Sequence, residues 1–237
     1  RKAFKEFVQI GGFPKMVLAN QKIVILELYE NILYRDIVSK FNKNLSKQIK
    51  ETALYLMSIS SSKISYRELA KMNEIKNIST IKSIITAFES SFLFFLLNKF
   101  DYSIKKQSQN PRKIYSIDNG FMTTIGFRLS EDNGKLLENV IAVELKRLKK
   151  EIYYFKEKNE CDFLIKEDTK ITEAIQVCYD LNPANEQREI SGLIEALEKF
   201  KLKSGLILSF DQKKELLVEG KKITIKPSWQ WILENKL

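Results

Sequence analysis

The chain has 237 residues, of which 44% are hydrophobic and 30% are charged, and it carries a formal net charge of +10. This composition is typical of a folded domain, and no apolar run approaches the roughly 18 residues of a membrane span. The sequence contains no histidine, which excludes histidine general bases, Ser-His triads and histidine-containing zinc sites. Its two cysteines are too few for a disulfide framework, so we expect a reducing, cytoplasmic location.

The positive charge is distributed unevenly along the chain. Residues 1–125 contain 20 Lys or Arg and 10 Asp or Glu, whereas residues 126–237 contain 20 of each. The whole excess therefore lies in the first half. This asymmetry suggests DNA or another acidic partner, although lysines that serve only solubility would give the same pattern.

Residues 1–44 predict a helical connector without a hydrophobic core of its own. A first helix covers residues 1–8 and is ended by the glycines and the proline of the segment 11–14. A second helix covers residues 22–40, where the apolar positions fit a helical stripe only loosely.

Residues 45–125 predict a winged helix-turn-helix, in which three helices precede a β-hairpin. Apolar side chains recur at helical spacing from Ile81 to Phe88, in the third helix. The polar stretch 101–112 would form the tip of the hairpin, the wing. The predicted elements are a helix at 46–58, a helix opened by a capping box of Ser65 and Glu68, a helix capped by Ser79, and the strands FLFFLLNKF and RKIYSI.

A module of this kind would bind DNA mainly through its charged surface. The third helix would enter the major groove, but it presents a single cation, Lys82, which is poor for reading bases. The wing is better supplied, and its phosphate-contacting candidates are Lys105, Lys106, Arg112 and Lys113. Winged helices also serve as protein-contact modules, so a structural or protein-binding role stays open.

Residues 126–237 predict an α/β domain in which helices flank a mixed β-sheet. A helix at about 133–150 precedes the strands IYYFK, CDFLIK and EAIQVCYD, a helix at about 185–201 and the strand GLILSF. Two more strands, ELLVEG and KITIKP, precede a last helix that carries Trp229 and Trp231. The overall class is α+β, with the order αβββαβ at the centre of this domain.

Four polar side chains of this domain are candidates for a catalytic site. Strand side chains alternate, so Asp162 shares a face with Lys166, and Gln176 can be its neighbour on the next strand. Glu138 lies at the edge of the apolar stripe of the preceding helix and would approach the pair from that helix. Because Mg²⁺ and Mn²⁺ prefer oxygen ligands, Glu138, Asp162 and Gln176 are the predicted metal and catalytic ligands.

The order of these elements resembles the core of the PD-(D/E)xK nuclease superfamily, a helix with Glu, a hairpin with Asp and a strand with Glu-x-Lys. More specifically, the chain resembles the C-terminal region of prokaryotic, often archaeal, AAA-type P-loop ATPases, where a winged helix and a nuclease-like domain follow the ATPase domain. The matching stretches run through nearly the whole chain and are GGFPK, YRDIV, KIYSIDNGF, GKLLENVIAVEL, YYFKEKNECDFLI, IQVCYDL and REISGLIEAL.

The resemblance implies an ATPase domain outside this chain, joined to it through the connector at residues 1–44. ATP would bind only there, because the chain contains no G-x-x-x-x-G-K-[ST] loop. It also implies that Glu138 is the helix carboxylate and Asp162 the metal-binding aspartate. The chain departs from the pattern at two positions, with Gln176 where a second acid is expected and Cys178 where a lysine is expected. Lys166 is the candidate substitute for that lysine.

Three functions stay open for this sequence. The first is a DNA-binding effector half of an ATPase with a degenerate, inactive nuclease-like domain. The second is a Mg²⁺- or Mn²⁺-dependent endonuclease that uses Glu138, Asp162 and Gln176. The third is a protein-interaction or regulatory module without a nucleic-acid role. The expected partners are DNA and the ATPase domain of the same protein, and no membrane is expected.

Overall fold

The computed structural model describes residues 1–19, 21–127 and 132–235, and its contacts divide the chain into two units. The N-terminal unit consists of Lys2–Leu96 and Pro111–Glu131. The C-terminal unit consists of Arg1, Leu97–Asn110 and Asp132–Leu237. Helices and two β-sheets, one in each unit, make this an α+β protein, as predicted.

The first 44 residues are not a coreless connector, because their side chains are buried within the N-terminal unit. Met16, Ile25 and Ile37 are almost completely buried, and Phe13 packs edge-on against Phe121. This segment forms α1 (Lys2–Ile10), α2 (Pro14–Ala19), α3 (Lys22–Asn31), a π-helical segment (Ile32–Ile37) and the 3-10 turns Val38–Lys40 and Lys43–Leu45.

The chain continues through three helices interleaved with a small sheet. In this sheet β3 lies between β1 and β2, and it pairs with β1 in the antiparallel direction. The elements are α4 (Ser46–Ser58), β1 (Ser62–Ile64), α5 (Tyr66–Met72), α6 (Ile78–Ser90), β2 (Phe94–Leu97), α7 (Ile104–Gln109), β3 (Arg112–Ser116) and α8 (Asn119–Thr124).

A carboxylate ties the start of the chain to the segment that follows β3. The oxygens of Asp118 accept hydrogen bonds from the backbone N–H groups of Gly12 and Gly120, both at 2.7 Å. Gly11 has a positive φ of 81°, and a Cβ there would lie 1.8 Å from Asp118 Oδ1. The stretches GGFPK and KIYSIDNGF, far apart in sequence, therefore meet at one partly buried turn.

The capping predicted for α5 and α6 is wrong in detail. Ser65 is the N-cap residue of α5, but its side chain makes no capping hydrogen bond, so the box with Glu68 does not form. The third helix begins at Ile78, and Asn77 caps it by accepting a hydrogen bond from the backbone N–H of Ser79. Both helices still occupy the predicted positions, because their apolar faces pack into the unit.

The predicted hairpin wing differs most from the structure. Strands β2 and β3 are neighbours, but the chain between them contains helix α7 and belongs to the C-terminal unit. Lys105 and Lys106 lie on α7 and not on a hairpin of the N-terminal unit. Lys113 lies on the central strand β3 and is only 3% exposed, so burial removes it from the predicted phosphate contacts.

The C-terminal unit is built on a mixed six-stranded sheet in the order β4-β5-β6-β7-β9-β8. Strands β4, β5 and β6 are antiparallel neighbours, β7 runs parallel to β6 and β9, and β8 is antiparallel to β9. The elements are α9 (Asn133–Arg147), β4 (Glu151–Lys156), β5 (Glu160–Glu167), β6 (Lys170–Val177), α10 (Glu186–Lys199), β7 (Ser204–Ser209), β8 (Lys214–Val218), β9 (Lys221–Pro227) and α11 (Ser228–Glu234).

Helix α10 covers one face of this sheet and forms a continuous core with it. Leu193 and Leu197 of α10 belong to the same buried cluster as Leu164, Ala174 and Ile207 of three neighbouring strands. None of the helices in the described ranges is long and apolar enough to cross a membrane.

Candidate functional site

Asp162 and Gln176 meet at the antiparallel pair of β5 and β6. The backbone N–H of Asp162 donates to Gln176 Oε1 at 3.2 Å, and the backbone N–H of Val177 donates to Asp162 Oδ2 at 3.0 Å. Both side chains are 6% exposed. The proximity expected from strand alternation is therefore observed, and each side chain is held by the backbone of the opposite strand.

A residue outside the predicted set, Glu189, completes this polar cluster. Gln176 Nε2 donates to Glu189 Oε2 at 2.7 Å, and Arg188 Nε donates to Glu189 Oε1 at 3.0 Å. Glu189 is buried, whereas the side chain of Arg188 is 77% exposed. A buried carboxylate needs such partners to offset its desolvation.

The position of Glu189 follows from the close approach of α10 to β5. A Cβ on Gly192 would lie 1.9 Å from the backbone oxygen of Glu160, so only glycine permits this distance. Glu189 lies one helical turn before Gly192 and therefore points to the same sheet. The sequence contained a signal for it, because Glu189 precedes Leu193 and Leu197 at four-residue spacing on the apolar stripe.

Cys178 occupies the position where the resemblance expects a lysine. Burial raises the pKa of its thiol to about 11, and the negative charge of Glu189 acts in the same direction. Asn185 Nδ2 lies 3.6 Å from its sulfur. The group is therefore a neutral thiol at neutral pH, and it supplies neither the charge of a lysine nor a reactive thiolate.

Lys166 does not substitute for that lysine. Its Nζ lies 3.0 and 2.9 Å from the two carboxylate oxygens of Glu151, with which it forms an ion pair. Lys166 lies four positions after Asp162 on β5, which corresponds to a distance of about 13 Å along the strand. The cation beside the cluster is instead Arg188, whose guanidinium is bound to Glu189. Lys166 therefore lies outside the predicted catalytic cluster and pairs with Glu151 instead.

The side chains present fit a catalytic Mg²⁺ or Mn²⁺ poorly. The amide oxygen of Gln176 and one oxygen of Asp162 already accept backbone hydrogen bonds. Within residues 1–19, 21–127 and 132–235, no three His, Cys, Asp or Glu side chains are arranged to hold a metal ion. Glu138 is half-buried on α9, which packs against β4 and β6, and its approach to Asp162 stays a prediction.

A second cluster lies in the N-terminal unit, where two predicted DNA-binding cations flank one tyrosine ring. Lys82 Nζ lies 5.8 Å and Arg112 Cζ lies 5.6 Å from the ring centroid of Tyr66. Arg112 Nη1 also donates to Tyr66 Oη at 2.9 Å. Burial raises the pKa of Tyr66, while the nearby charge of Arg112 acts in the opposite direction.

The two positive charges of this cluster attract anions. Arg112 Nε is buried without a hydrogen-bond partner, which costs free energy, and its burial closes this N–H to solvent. In the part of the chain that the structure describes, neither Lys82 nor Arg112 forms an ion pair. Glu89 is the nearby acid, and its Oε1 accepts a hydrogen bond from the backbone N–H of Leu96. The two cations therefore form a small basic site of the kind that suits a phosphate.

The fold and these clusters define an α+β protein with a buried carboxylate–amide network in one unit and a basic tyrosine cluster in the other. The chain belongs to the family described as a domain of unknown function, DUF8612, whose model matches residues 1–132. That match includes the whole N-terminal unit.

Two relatives extend the comparison to both units. An uncharacterized protein of Methanocaldococcus jannaschii, MJ1544, is 33% identical over 98% of this chain and 56% of its own length. An uncharacterized protein of Haemophilus influenzae is 23% identical over 84% of this chain and 51% of its own length. The chain thus spans about half the length of these relatives, and no solved structure matches it.

Proposed function

We propose that this chain is the DNA-binding effector half of a longer protein, in which a winged helix contacts duplex DNA and a nuclease-like domain does not cleave it. The order of α4, β1, α5, α6, β2 and β3, with β3 central in the sheet, supports the winged-helix assignment. The order of α9, β4, β5, β6, α10 and β7 supports the PD-(D/E)xK-like assignment.

The cluster of Tyr66, Lys82 and Arg112 is the observation that carries the DNA-binding proposal. Two cations share one ring, and neither of them forms an ion pair within the described residues. A phosphate beside the two cations would offset the repulsion between them. Such contacts are independent of base sequence, in line with the single lysine on the outward face of α6.

The network around Gln176 supports binding without cleavage. Gln176 brings no charge to a metal ion, and its amide is already bound to the backbone of Asp162 and to Glu189. Cys178 stays protonated where a lysine would orient the attacking water. In this proposal the nuclease-like domain is a scaffold, whereas metal-dependent cleavage is the competing function.

The remaining parts of the proposal concern the whole protein. Relatives about twice as long support a further domain, and the resemblance to AAA-type ATPases makes an ATPase domain our proposal for it. Both cysteines are buried thiols, which supports a reducing cytoplasm as the location.

A salt titration of duplex binding tests the proposal. We expect binding to any duplex sequence, and a steep loss of affinity between about 50 and 200 mM salt. The variant with Lys82→Gln and Arg112→Gln should weaken binding and reduce the salt slope by about 2, because two phosphate contacts are lost. The matched control replaces two exposed lysines of the C-terminal unit, Lys213 and Lys214, with Gln and should leave the salt slope unchanged. Equal slopes in both variants would contradict the proposed role of the cluster.

A cleavage assay separates the scaffold from the nuclease. The chain is incubated with plasmid and single-stranded DNA in Mg²⁺, in Mn²⁺ and in EDTA. We expect intact DNA in every case. Metal-dependent cleavage that disappears in Asp162→Ala would instead establish the nuclease function and overturn the scaffold proposal.

A further inference from the structure

The segment Leu97–Asn110 is fixed to the edge of the large sheet and presents a surface to solvent. The backbone N–H of Phe100 donates to the carbonyl of Tyr154 at 2.8 Å, and Tyr154 N–H donates to the carbonyl of Asn98 at 3.0 Å. These bonds extend the sheet beyond β4 and place the residues that follow at a defined position in the C-terminal unit.

The side chain of Phe100 anchors this segment in an aromatic cluster. Its ring centroid lies 5.4 Å from that of Tyr153 and 5.1 Å from that of Phe200, and both contacts are edge-to-face. On the other side, the ring of Tyr102 packs edge-to-face on Phe100 with centroids 5.2 Å apart. The exposed ring of Tyr102 is therefore held by contact with a partly buried residue.

The turn after Phe100 is held by local hydrogen bonds. Asp101 Oδ1 accepts from the backbone N–H of Ser103 at 2.8 Å, and the carbonyl of Asp101 accepts from Gln107 Nε2 at 2.7 Å. Ser103 caps helix α7 by accepting from the backbone N–H of Lys106. An exposed residue on such a turn loses little conformational entropy on binding, which favours affinity.

The residues that this fixed turn presents are apolar and basic. Tyr102 is 78% and Ile104 is 83% exposed, among the highest values for large hydrophobic residues in the described chain. Three cations lie within four residues of Tyr102 in sequence, and none of them forms an ion pair within the described ranges; they are Lys99, Lys105 and Lys106. The carboxylate of Asp101 is already engaged with Ser103.

We propose that this turn is a single-stranded DNA-binding surface, in which Tyr102 stacks on an unpaired base and the lysines contact the flanking phosphates. The inference rests on the proposed DNA-binding function and adds a second DNA form, bound by the other unit. Every base has a π-face, so an exposed aromatic ring beside cations binds single strands without sequence preference. Bases stacked inside a duplex do not offer that face.

Binding of an oligothymidylate of about 15 nucleotides, compared with a base-free sugar-phosphate strand of equal length, tests the stacking step. The wild type should bind the oligothymidylate about 5- to 140-fold more tightly, the range expected for one stacked base. Tyr102→Ala should remove this preference, whereas Tyr102→Phe should keep it. Phe127→Ala, which removes a similarly exposed aromatic ring of the other unit, is the matched control and should behave as the wild type.

The lysines are tested by salt dependence. Replacing Lys105 and Lys106 with Gln should reduce the salt slope of single-strand binding by about 1.4, since each phosphate contact on a single strand contributes about 0.7. The variant with Lys213→Gln and Lys214→Gln should keep the full slope.

The outcomes distinguish this inference from the proposed function. Equal affinity for the two strands in the wild type, or a base preference that survives Tyr102→Ala, overturns the inference even when duplex binding persists. If the wild type does not bind duplex DNA but keeps a Tyr102-dependent preference for the oligothymidylate, the duplex proposal is overturned. The single-strand site is then supported.

Discussion

The side-chain amide of Gln176 donates to Glu189 Oε2 at 2.7 Å, and both residues are buried. A glutamate at position 176 would place two carboxylates at that distance in a region of low dielectric. Ionising both of them there would cost considerable free energy. The amide at 176 and the acid at 189 are therefore matched to each other. The packing of α10 on the sheet thus favours an amide at the position where the resemblance expects an acid.

Replacing Gln176 with Glu should lower the free energy of unfolding by about 2–4 kcal/mol near pH 7, because it sets two buried charges of equal sign against each other. Protonation of one of the two carboxylates relieves this repulsion, so the loss of stability should be smaller at mildly acidic pH. Urea unfolding at neutral and mildly acidic pH measures both effects.

The matched rescue exchanges the two residues. Glu189→Gln in the Gln176→Glu background restores an amide–carboxylate pair and should recover most of the lost stability. Wild-type stability of the Gln176→Glu single variant at neutral pH would contradict the proximity of the two groups.

Gly192→Ala should destabilise the protein by about 1–3 kcal/mol or more, because the new methyl group overpacks the contact between α10 and β5. Its Cβ would lie 1.9 Å from the backbone oxygen of Glu160. Gly134→Ala, also in a helix, is the control, since the nearest atom to its Cβ is 3.5 Å away. We expect this control to be neutral or stabilising by up to about 1 kcal/mol. Denaturant midpoints that shift equally for both variants would argue against the close approach.

Cys178 should react slowly with iodoacetamide near neutral pH, because burial raises its pKa to about 11. The rate should rise about tenfold per pH unit between about pH 8 and 10, as the thiolate fraction grows. A raised pKa also means that its stabilising contribution is present below the ordinary value of about 8.5 and lost as pH approaches the folded value. Mass spectrometry of Cys161→Ala isolates this thiol, and denatured protein gives the reference rate. A folded rate that matches the denatured rate at neutral pH would contradict the raised pKa.

The sequence predicted the large sheet well and the polar cluster in part. Strand alternation placed Asp162 beside Gln176, because a hairpin register brings facing residues together whatever surrounds them. Glu189 was missed, although it lies on the apolar stripe of α10. From sequence alone, an acid on such a stripe is expected to lie at its solvent-exposed edge. Here the close approach of α10 to β5, which Gly192 permits, buries the acid instead.

The sequence could not predict which lysines of the wing are exposed, because long-range packing decides their positions. Lys113 looked exposed in an edge hairpin, but β3 is the central strand of its sheet and buries both faces. Lys105 and Lys106 were assigned to the hairpin because the stretch around them is polar. They belong to the C-terminal unit because Phe100, a few residues earlier, packs on Tyr153 and Phe200 of that unit. These two residues lie about 50 and 100 positions away in sequence. Local pattern contains no information on such a contact.

Asp118→Asn should lower the free energy of unfolding by about 1–3 kcal/mol, because an amide offers one acceptor where the carboxylate serves two backbone donors. Gly12 and Gly120 donate to its two oxygens at 2.7 Å each. Asp132→Asn is the matched control and should be nearly neutral, since Asn caps a helix as well as Asp does.

The same variant should change the pH dependence of stability. Burial raises the pKa of Asp118, and the hydrogen bonds from Gly12 and Gly120 oppose this shift without cancelling it. A carboxyl with a raised folded-state pKa contributes stability that is present below about pH 4 and is lost as pH rises through the folded value. The stability difference between the wild type and Asp118→Asn should therefore be larger near pH 4 than near pH 7. Urea unfolding at both pH values measures this difference, and a larger difference at neutral pH would show that the carboxylate hydrogen bonds outweigh the burial.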